Sequence, residues 1–247
     1  MGRTDKTRFQ LQYLLGRIFV FIAAPVITIA VILCGYRVHN LTQMRQSISA
    51  SFKKHKGPWL ICSNHLTMID SVFITYVMFP FYRYMFQYRL MPWNIPEKAN
   101  LYRIHPLVAV LCYLLKCLPI ERGGSRDSLN KSLEKCAYML SRGENLTIFP
   151  EGTRARDGRI NTTDFPYSVG RFIQMIPDCR VMCIYLRGDT QTAYSDLPAL
   201  NETFYVAVTD FKPVSTLKGL KAQRDFARQI IEKLSAMEKT YFDACGK

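Results

Sequence analysis

A histidine and an aspartate stand close together in Asn64-His65-Leu66-Thr67-Met68-Ile69-Asp70, where an apolar run ends and a helical pattern begins. Histidine is the side chain whose type titrates nearest neutrality, so an imidazole at such a junction suits a general base. A carboxylate in the first helical turn can fold back toward the ring, fix its tautomer and stabilise the imidazolium formed when a proton is taken. The same spacing has a plainer reading. Thr67-x-x-Asp70 matches a capping box, in which Asp70 does no more than close a helix end. A second block, Phe149-Pro150-Glu151-Gly152-Thr153-Arg154, follows another apolar run. Gly152 permits close backbone approach to a ligand, and Arg154 offers a planar fork of donors suited to phosphate oxygens. Arg156 and Arg159 add positive charge nearby. Solvated arginines on a surface turn are the alternative. A third block, Pro119-Ile120-Glu121-Arg122-Gly123-Gly124, again joins an arginine to glycines. Alone it reads as a surface turn.

The elements that must position these blocks alternate between strand and helix, which predicts an α/β layer architecture. Trp59 to Cys62 reads as a short buried strand after Gly57-Pro58, and Thr67 to Phe79 as a helix stopped by Pro80. Residues 92–106 read as a long loop, and Leu107 to Leu118 as a helix running into a strand near Pro119. Ser128 to Ser141 is an amphipathic helix and Asn145 to Phe149 a strand ending at Pro150. Val181 to Leu186 and Thr203 to Phe211 read as strands. The pattern Phe226, Ile230, Leu234, Met237, Tyr241 marks a closing helix over Lys221 to Tyr241.

The chain has 247 residues, 49% of them apolar and 21% charged, with a net charge of +14. That composition supports a full core and excludes disorder. The charge favours anionic partners: nucleic acid, a lipid surface or a phosphorylated substrate. No zinc spacing, basic heptad or ribonucleoprotein motif is present, so nucleic acid is not expected. The eight cysteines form no CxxC pair and do not cluster with the four histidines. They read as reduced, mostly buried thiols, with no metal site expected.

An uncharged run of about 19 residues, Ile18 to Tyr36, would span roughly 28 Å as a helix. Basic residues flank it on both sides: Arg3, Lys6, Arg8 and Arg17 before, Arg37, Arg45, Lys53, Lys54 and Lys56 after. Both ends then face one anionic surface, which favours a re-entrant or monotopic segment bent at Pro25 over a single spanning helix. Residues 1–55 are therefore expected to anchor the chain in a membrane, and 56–247 to form the domain that carries the blocks.

The three blocks, in this order at strand ends, resemble the glycerolipid acyltransferases of the lysophosphatidic acid acyltransferase (1-acylglycerol-3-phosphate acyltransferase) type, over about Leu60 to Leu186. The resemblance implies a central mixed sheet flanked by helices, with a membrane-embedded helical segment ahead of it. It implies that His65 is the catalytic base and Asp70 its orienting partner. Arg122, Glu151, Gly152, Thr153 and Arg154 would surround the acceptor's phosphate. The reaction implied moves a fatty acyl group from acyl-CoA or acyl-ACP to the free hydroxyl of a lyso-lipid, with no cofactor beyond that co-substrate. The expected partners are the acyl thioester, the lyso-lipid and an anionic membrane surface, with the active site on the cytoplasmic face. The apolar N-terminal run and the aromatic run Phe79 to Tyr88 are candidates for an acyl-chain slot, ordinary core packing being the alternative for the latter. The sequence departs from the family pattern in three places: the strand Val181 to Leu186 lacks a proline, no lysine follows the Glu151 block closely, and Gln87 to Pro106 lacks a lysine-rich pattern. These departures bear on the acceptor's identity. An acyltransferase for another lyso-lipid, such as an amino-acid-derived one, or a non-catalytic membrane lipid-binding adaptor are the competing readings.

Overall fold

The computed structural model describes residues 3–98, 106–121, 125–154 and 156–245. Arg122, Gly123 and Gly124 lie outside the described residues. The chain runs α1 (Arg3–Leu33), β1 (Arg37–Val38), α2 (Leu41–Lys54), β2 (Trp59–Ser63), α3 (Asp70–Met78) and α4 (Phe81–Phe86). A 3-10 turn (Tyr88–Leu90) and β3 (Trp93–Asn94) follow, then α5 (Pro106–Leu114), α6 (Arg126–Ser141) and β4 (Leu146–Ile148). The last elements are α7 (Ser168–Met175), β5 (Arg180–Gly188), β6 (Thr203–Phe211) and α8 (Gly219–Cys245). The strands form one mixed sheet in the order β1-β6-β5-β2-β4-β3, with only the β5–β6 pair antiparallel among the described residues.

Every residue of β2 is buried, because the sheet is covered on both sides. Successive strand residues point to opposite layers. Leu60, Cys62, Val181, Cys183 and Tyr185 pack with α6, α7 and α8. Trp59, Ile61, Met182, Ile184 and Leu186 pack with α1, α2, α3 and Tyr84. The expected α/β sheet flanked by helices is present. β2 and β4 are parallel neighbours, so both deliver their carboxyl ends, and the two motif blocks, to the same edge of the sheet.

The N-terminal segment differs from the re-entrant expectation. α1 is one helix through Pro25, about 46 Å long at 1.5 Å per residue. Proline removes one helical hydrogen bond and crowds the carbonyl four residues back. Buried residues hold the helix to the domain on both sides of that defect: Val20, Ala23 and Ala24 before and at it, Val31 after it. Farther toward the N-terminus, Gln12 donates to the carbonyls of Tyr113 and Cys117, and Phe9 and Tyr13 lie against Trp93 and Tyr88. The helix ends at Gly35 (φ +71°), with the Tyr36 amide donating to Val31 O at 3.1 Å. That left-handed residue closes the last turn and delivers Arg37 and Val38 to β6. By length and composition α1 could cross a membrane. Its outward face carries Leu14, Ile18, Ile22, Ile29, Ile32 and Leu33, all exposed.

Three further boundaries move. The helix expected from Thr67 starts at Asp70, because the Leu66 and Thr67 amides are occupied by the Asp70 carboxylate. The loop expected over residues 92–106 contains β3, and Glu97 pairs with Ile120. The helix expected to reach Leu118 stops at Leu114. Lys116 is left-handed (φ +57°), and the Cys117 amide donates to Cys112 O at 2.9 Å.

Lys116 anchors this corner. Its ammonium is fully buried and donates to Tyr88 O, Met91 O and Glu144 Oε2 at 3.1, 2.9 and 2.8 Å. The rings of Tyr13, Tyr88 and Trp93 surround it, and Trp93 Nε1 donates to the same Glu144 oxygen at 3.1 Å. Burial, opposed by Glu144, holds the Lys116 amine down at about 8. Around the sheet, burial pushes the Cys136, Cys179 and Cys183 thiols up to about 12, and the Cys62 thiol well up. The cysteines with described side chains are free thiols. Among the described residues, Lys116→Ala leaves the buried Glu144 carboxylate with only the more distant Arg89 Nε at 3.9 Å as a cationic partner. It should cost about 3–5 kcal/mol in a denaturant titration, and the pair substitution Lys116→Met with Glu144→Gln should recover much of that.

Candidate active site

The parallel register of β2 and β4 builds the site. Leu60, Ile61 and Cys62 pair with Leu146, Thr147 and Ile148. Carrying that register three residues past Cys62 brings His65 level with Glu151. The His65 amide donates to Glu151 Oε1 at 3.3 Å, across 86 positions of sequence. On the other side of β2, the Asn64 side chain continues the pairing with β5. Its amide donates to Leu186 O at 2.8 Å, and its oxygen accepts from the Leu186 amide at 2.9 Å. The residue before the histidine is therefore clamped to the sheet beyond the last strand position.

His65 Nδ1 lies 2.9 Å from Asp70 Oδ2. A carboxylate only accepts, so Nδ1 carries a proton, and in the neutral ring Nε2 is the nitrogen with the lone pair. The same Asp70 oxygen accepts the amides of Leu66 and Thr67 at 2.6 and 2.8 Å, and its partner oxygen accepts the Thr67 hydroxyl. Asp70 thus braces the turn and contacts the ring at once, and the helix begins at Asp70 with Ile69, not Thr67, in the capping position. The ring plane is set by Phe149, stacked at a centroid distance of 4.0 Å and 14° between planes. The imidazole keeps 20% of its side-chain surface open, whereas Asp70 keeps 5%.

Glu151 is buried and ties three segments together. Besides the His65 amide it accepts the Asn161 amide at 3.2 Å. Burial raises its carboxyl to about 7, with the two amides acting to lower it and Glu238 and Asp157 to raise it. Glu151 also lines a cleft of about 920 Å³ whose walls include Thr153, Arg154, Arg159, Asn161 and Tyr194. His65 is not on that wall; Glu151 is the residue shared by the cleft and the histidine turn. Thr153 is exposed beside it. Gly152 takes φ +75°, and a Cβ there would sit 2.6 Å from the Pro166 ring. Its glycine is required by the turn and by Pro166. Arg154 donates to Asp196 Oδ1 at 2.9 Å and to Ser195 O at 3.3 Å. Among the described residues no cluster of metal-ligating side chains occurs.

Two contributors escape a reading of the sequence. Arg187 is buried at the end of β5. It donates to Gly158 O, to Gln191 O at 3.1 Å and to Thr192 O at 3.2 Å, so it holds both loops that border the cleft. Its signal was a charge directly following the apolar strand Val181–Leu186. Asp196, on the β5–β6 connection, had no local signal. The aromatic run Phe79 to Tyr88 divides: Phe79, Tyr84 and Tyr88 are core, whereas Phe81, Tyr82 and Phe86 are exposed.

Fold and site define an α/β protein with a carboxylate-oriented imidazole at the carboxyl ends of its parallel strands. The family model described as Acyltransferase matches residues 35–187, more than half of the chain, and the chain belongs to that family. The family contains the glycerolipid acyltransferases of the lysophosphatidic acid acyltransferase type, and this chain is an acyltransferase. Comparison with curated proteins gives no match.

Because the Glu151 carboxyl is raised in the folded state, the folded protein holds its proton to higher pH than the unfolded chain does. Stability therefore falls as pH rises from about 4.5 to about 7, by at most about 3 kcal/mol from this group. Glu151→Gln should flatten the slope of melting temperature against pH across that window relative to the wild type.

Proposed function

We propose that the chain transfers a fatty acyl group from acyl-CoA or acyl-ACP to the free hydroxyl of a lysophospholipid, with 1-acylglycerol-3-phosphate as acceptor and phosphatidic acid as product. The observation that carries this reading is the His65 turn. One residue presents its ring to Asp70 and its amide to Glu151, so both halves of the family's motif pattern meet in one place.

The acceptor hydroxyl is a poor nucleophile while protonated. His65 Nε2 takes its proton as the oxygen attacks the thioester carbonyl, and Asp70 stabilises the imidazolium that results. The tetrahedral intermediate collapses to the new ester and a thiolate, and the imidazolium returns its proton to that sulfur. The thiol is a good leaving group, so direct transfer between two bound substrates suffices, with proximity supplying much of the rate. Arg154, with Arg156 and Arg159 exposed nearby, offers cationic donors for the acceptor's phosphate. Arg122 belongs to this set by resemblance alone.

In the same reading the protein works at a membrane surface. The outward apolar face of α1 supports this, as does α5, a nine-residue apolar helix with no buried residue. The exposed Phe86 packs edge-on against Phe21 of α1 and extends that surface. Free thiols fit a site on the cytoplasmic face, where cysteines stay reduced.

His65→Ala should lower acyl transfer by about 10²–10⁴-fold, with melting temperature and membrane recovery retained. Thioester consumption with 1-acylglycerol-3-phosphate is the assay, and wild-type turnover in the purified variant refutes the base. Arg154→Ala should chiefly raise the apparent KM for phosphate-bearing acceptors. An equal loss of rate with every acceptor would remove the phosphate role.

A further inference from the structure

The connection between β5 and β6 lies across the catalytic turn. The Ser195 amide donates to Leu66 O at 3.0 Å, and the Met68 amide donates to Asp196 O at 3.1 Å. Farther along, the Tyr36 hydroxyl donates to Pro198 O at 3.1 Å, and the Asn201 amide donates to Cys34 O at 2.8 Å. The strap is thus fixed at one point to the His65–Asp70 turn and at another to the end of α1. Between Tyr194 and Asp196 it meets Arg154. The guanidinium donates to Asp196 Oδ1 and Ser195 O, and lies 5.5 Å from the Tyr194 ring centroid.

The arginine best suited to an acceptor phosphate is therefore already holding an anion of the chain's own. The backbone of the strap is fixed, but the Asp196 side chain is 76% exposed. An exposed pair of this kind is weak. A monoester phosphate brings nearly two negative charges and three strong acceptor oxygens to the same fork. Arg156 and Arg159 line the same cleft and attract it further, while Asp157 opposes.

We propose that Asp196 is an internal competitor for Arg154. It stands where the acceptor's phosphate binds and must be displaced, so it sets the affinity for phosphate-bearing acceptors through Arg154. The inference rests on the acyltransfer reading for its kinetic form but has a binding form of its own. Displacement taxes every ligand that needs Arg154 by the same factor and leaves ligands that do not use it untouched. Asp196 thus acts only through the arginine.

The test compares wild type, Asp196→Asn, Arg154→Ala and the double variant, each checked for an unchanged melting temperature. Asp196→Ser is carried as a second replacement. In mixed micelles, Asp196→Asn should lower the KM for 1-acylglycerol-3-phosphate by about two- to fivefold. The KM for a neutral monoacylglycerol should not move. The gain should shrink at high salt and vanish in the Arg154→Ala background, as a coupled pair requires. In parallel, glycerol 3-phosphate binding measured by calorimetry should tighten by the same factor in Asp196→Asn and be lost in Arg154→Ala. An unchanged or raised KM, or a gain that persists without Arg154, overturns the proposal. A rise in KM confined to an amine-bearing lysophospholipid also overturns it and makes Asp196 a headgroup ligand. If the wild type turns over no acceptor, the acyltransfer reading fails, and the glycerol 3-phosphate measurements still decide the role of Asp196.

Discussion

The Asp70 carboxylate receives four donors: the amides of Leu66 and Thr67, the Thr67 hydroxyl and the Nδ1–H of His65. It is buried at the first turn of α3, where the helix dipole also favours a negative charge. The oxygens that organise the backbone turn are the ones that orient the ring. The fold of the turn and the orientation of the ring are therefore one arrangement. Phe149 limits the ring's remaining freedom by stacking flat against it.

The sheet supplies what the turn cannot. Because β2 lies between β4 and β5 in parallel register, residues distant in sequence arrive side by side at one edge. Glu151 comes from the end of β4, and the bidentate contact of Asn64 extends the pairing with β5. Arg187 then holds the loops at Gly158 and Thr192, so the cleft border is pinned from beneath by a buried guanidinium. That charge is itself shielded by Phe242 and lies 3.9 Å from Glu238.

Much of this was legible in the order of residues. The four longer strands followed from apolar runs bounded by Gly, Pro and polar residues, and Thr203–Phe211 agrees at both ends, whereas the two-residue strands β1 and β3 had no such run. The histidine and its carboxylate could be paired because five positions across a strand-to-helix turn is a local distance. The misses are partly long-range and partly local. Pro25 predicts a bend only if nothing holds the helix on either side, and the holding residues, among them Tyr113, lie about 100 positions away. The start of α3 moved because a side chain took amides that a helix would have used. Arg154 was visible as a guanidinium, but its partner lies 42 positions on, in a segment with no periodicity to mark it. Arg122 carried a role by resemblance and lies outside the described residues.

The buried cysteines have a consequence for the proposed thioester chemistry. Cys62 and Cys183 face each other across the two central strands, with Cys136 and Cys179 in the same core. A thiol attacks a thioester as its anion, and burial keeps these sulfurs protonated far above neutral pH. These four sulfurs are thereby kept out of the nucleophilic form, whereas the half-buried Cys112 thiol is held lower by its hydrogen bond with Cys117.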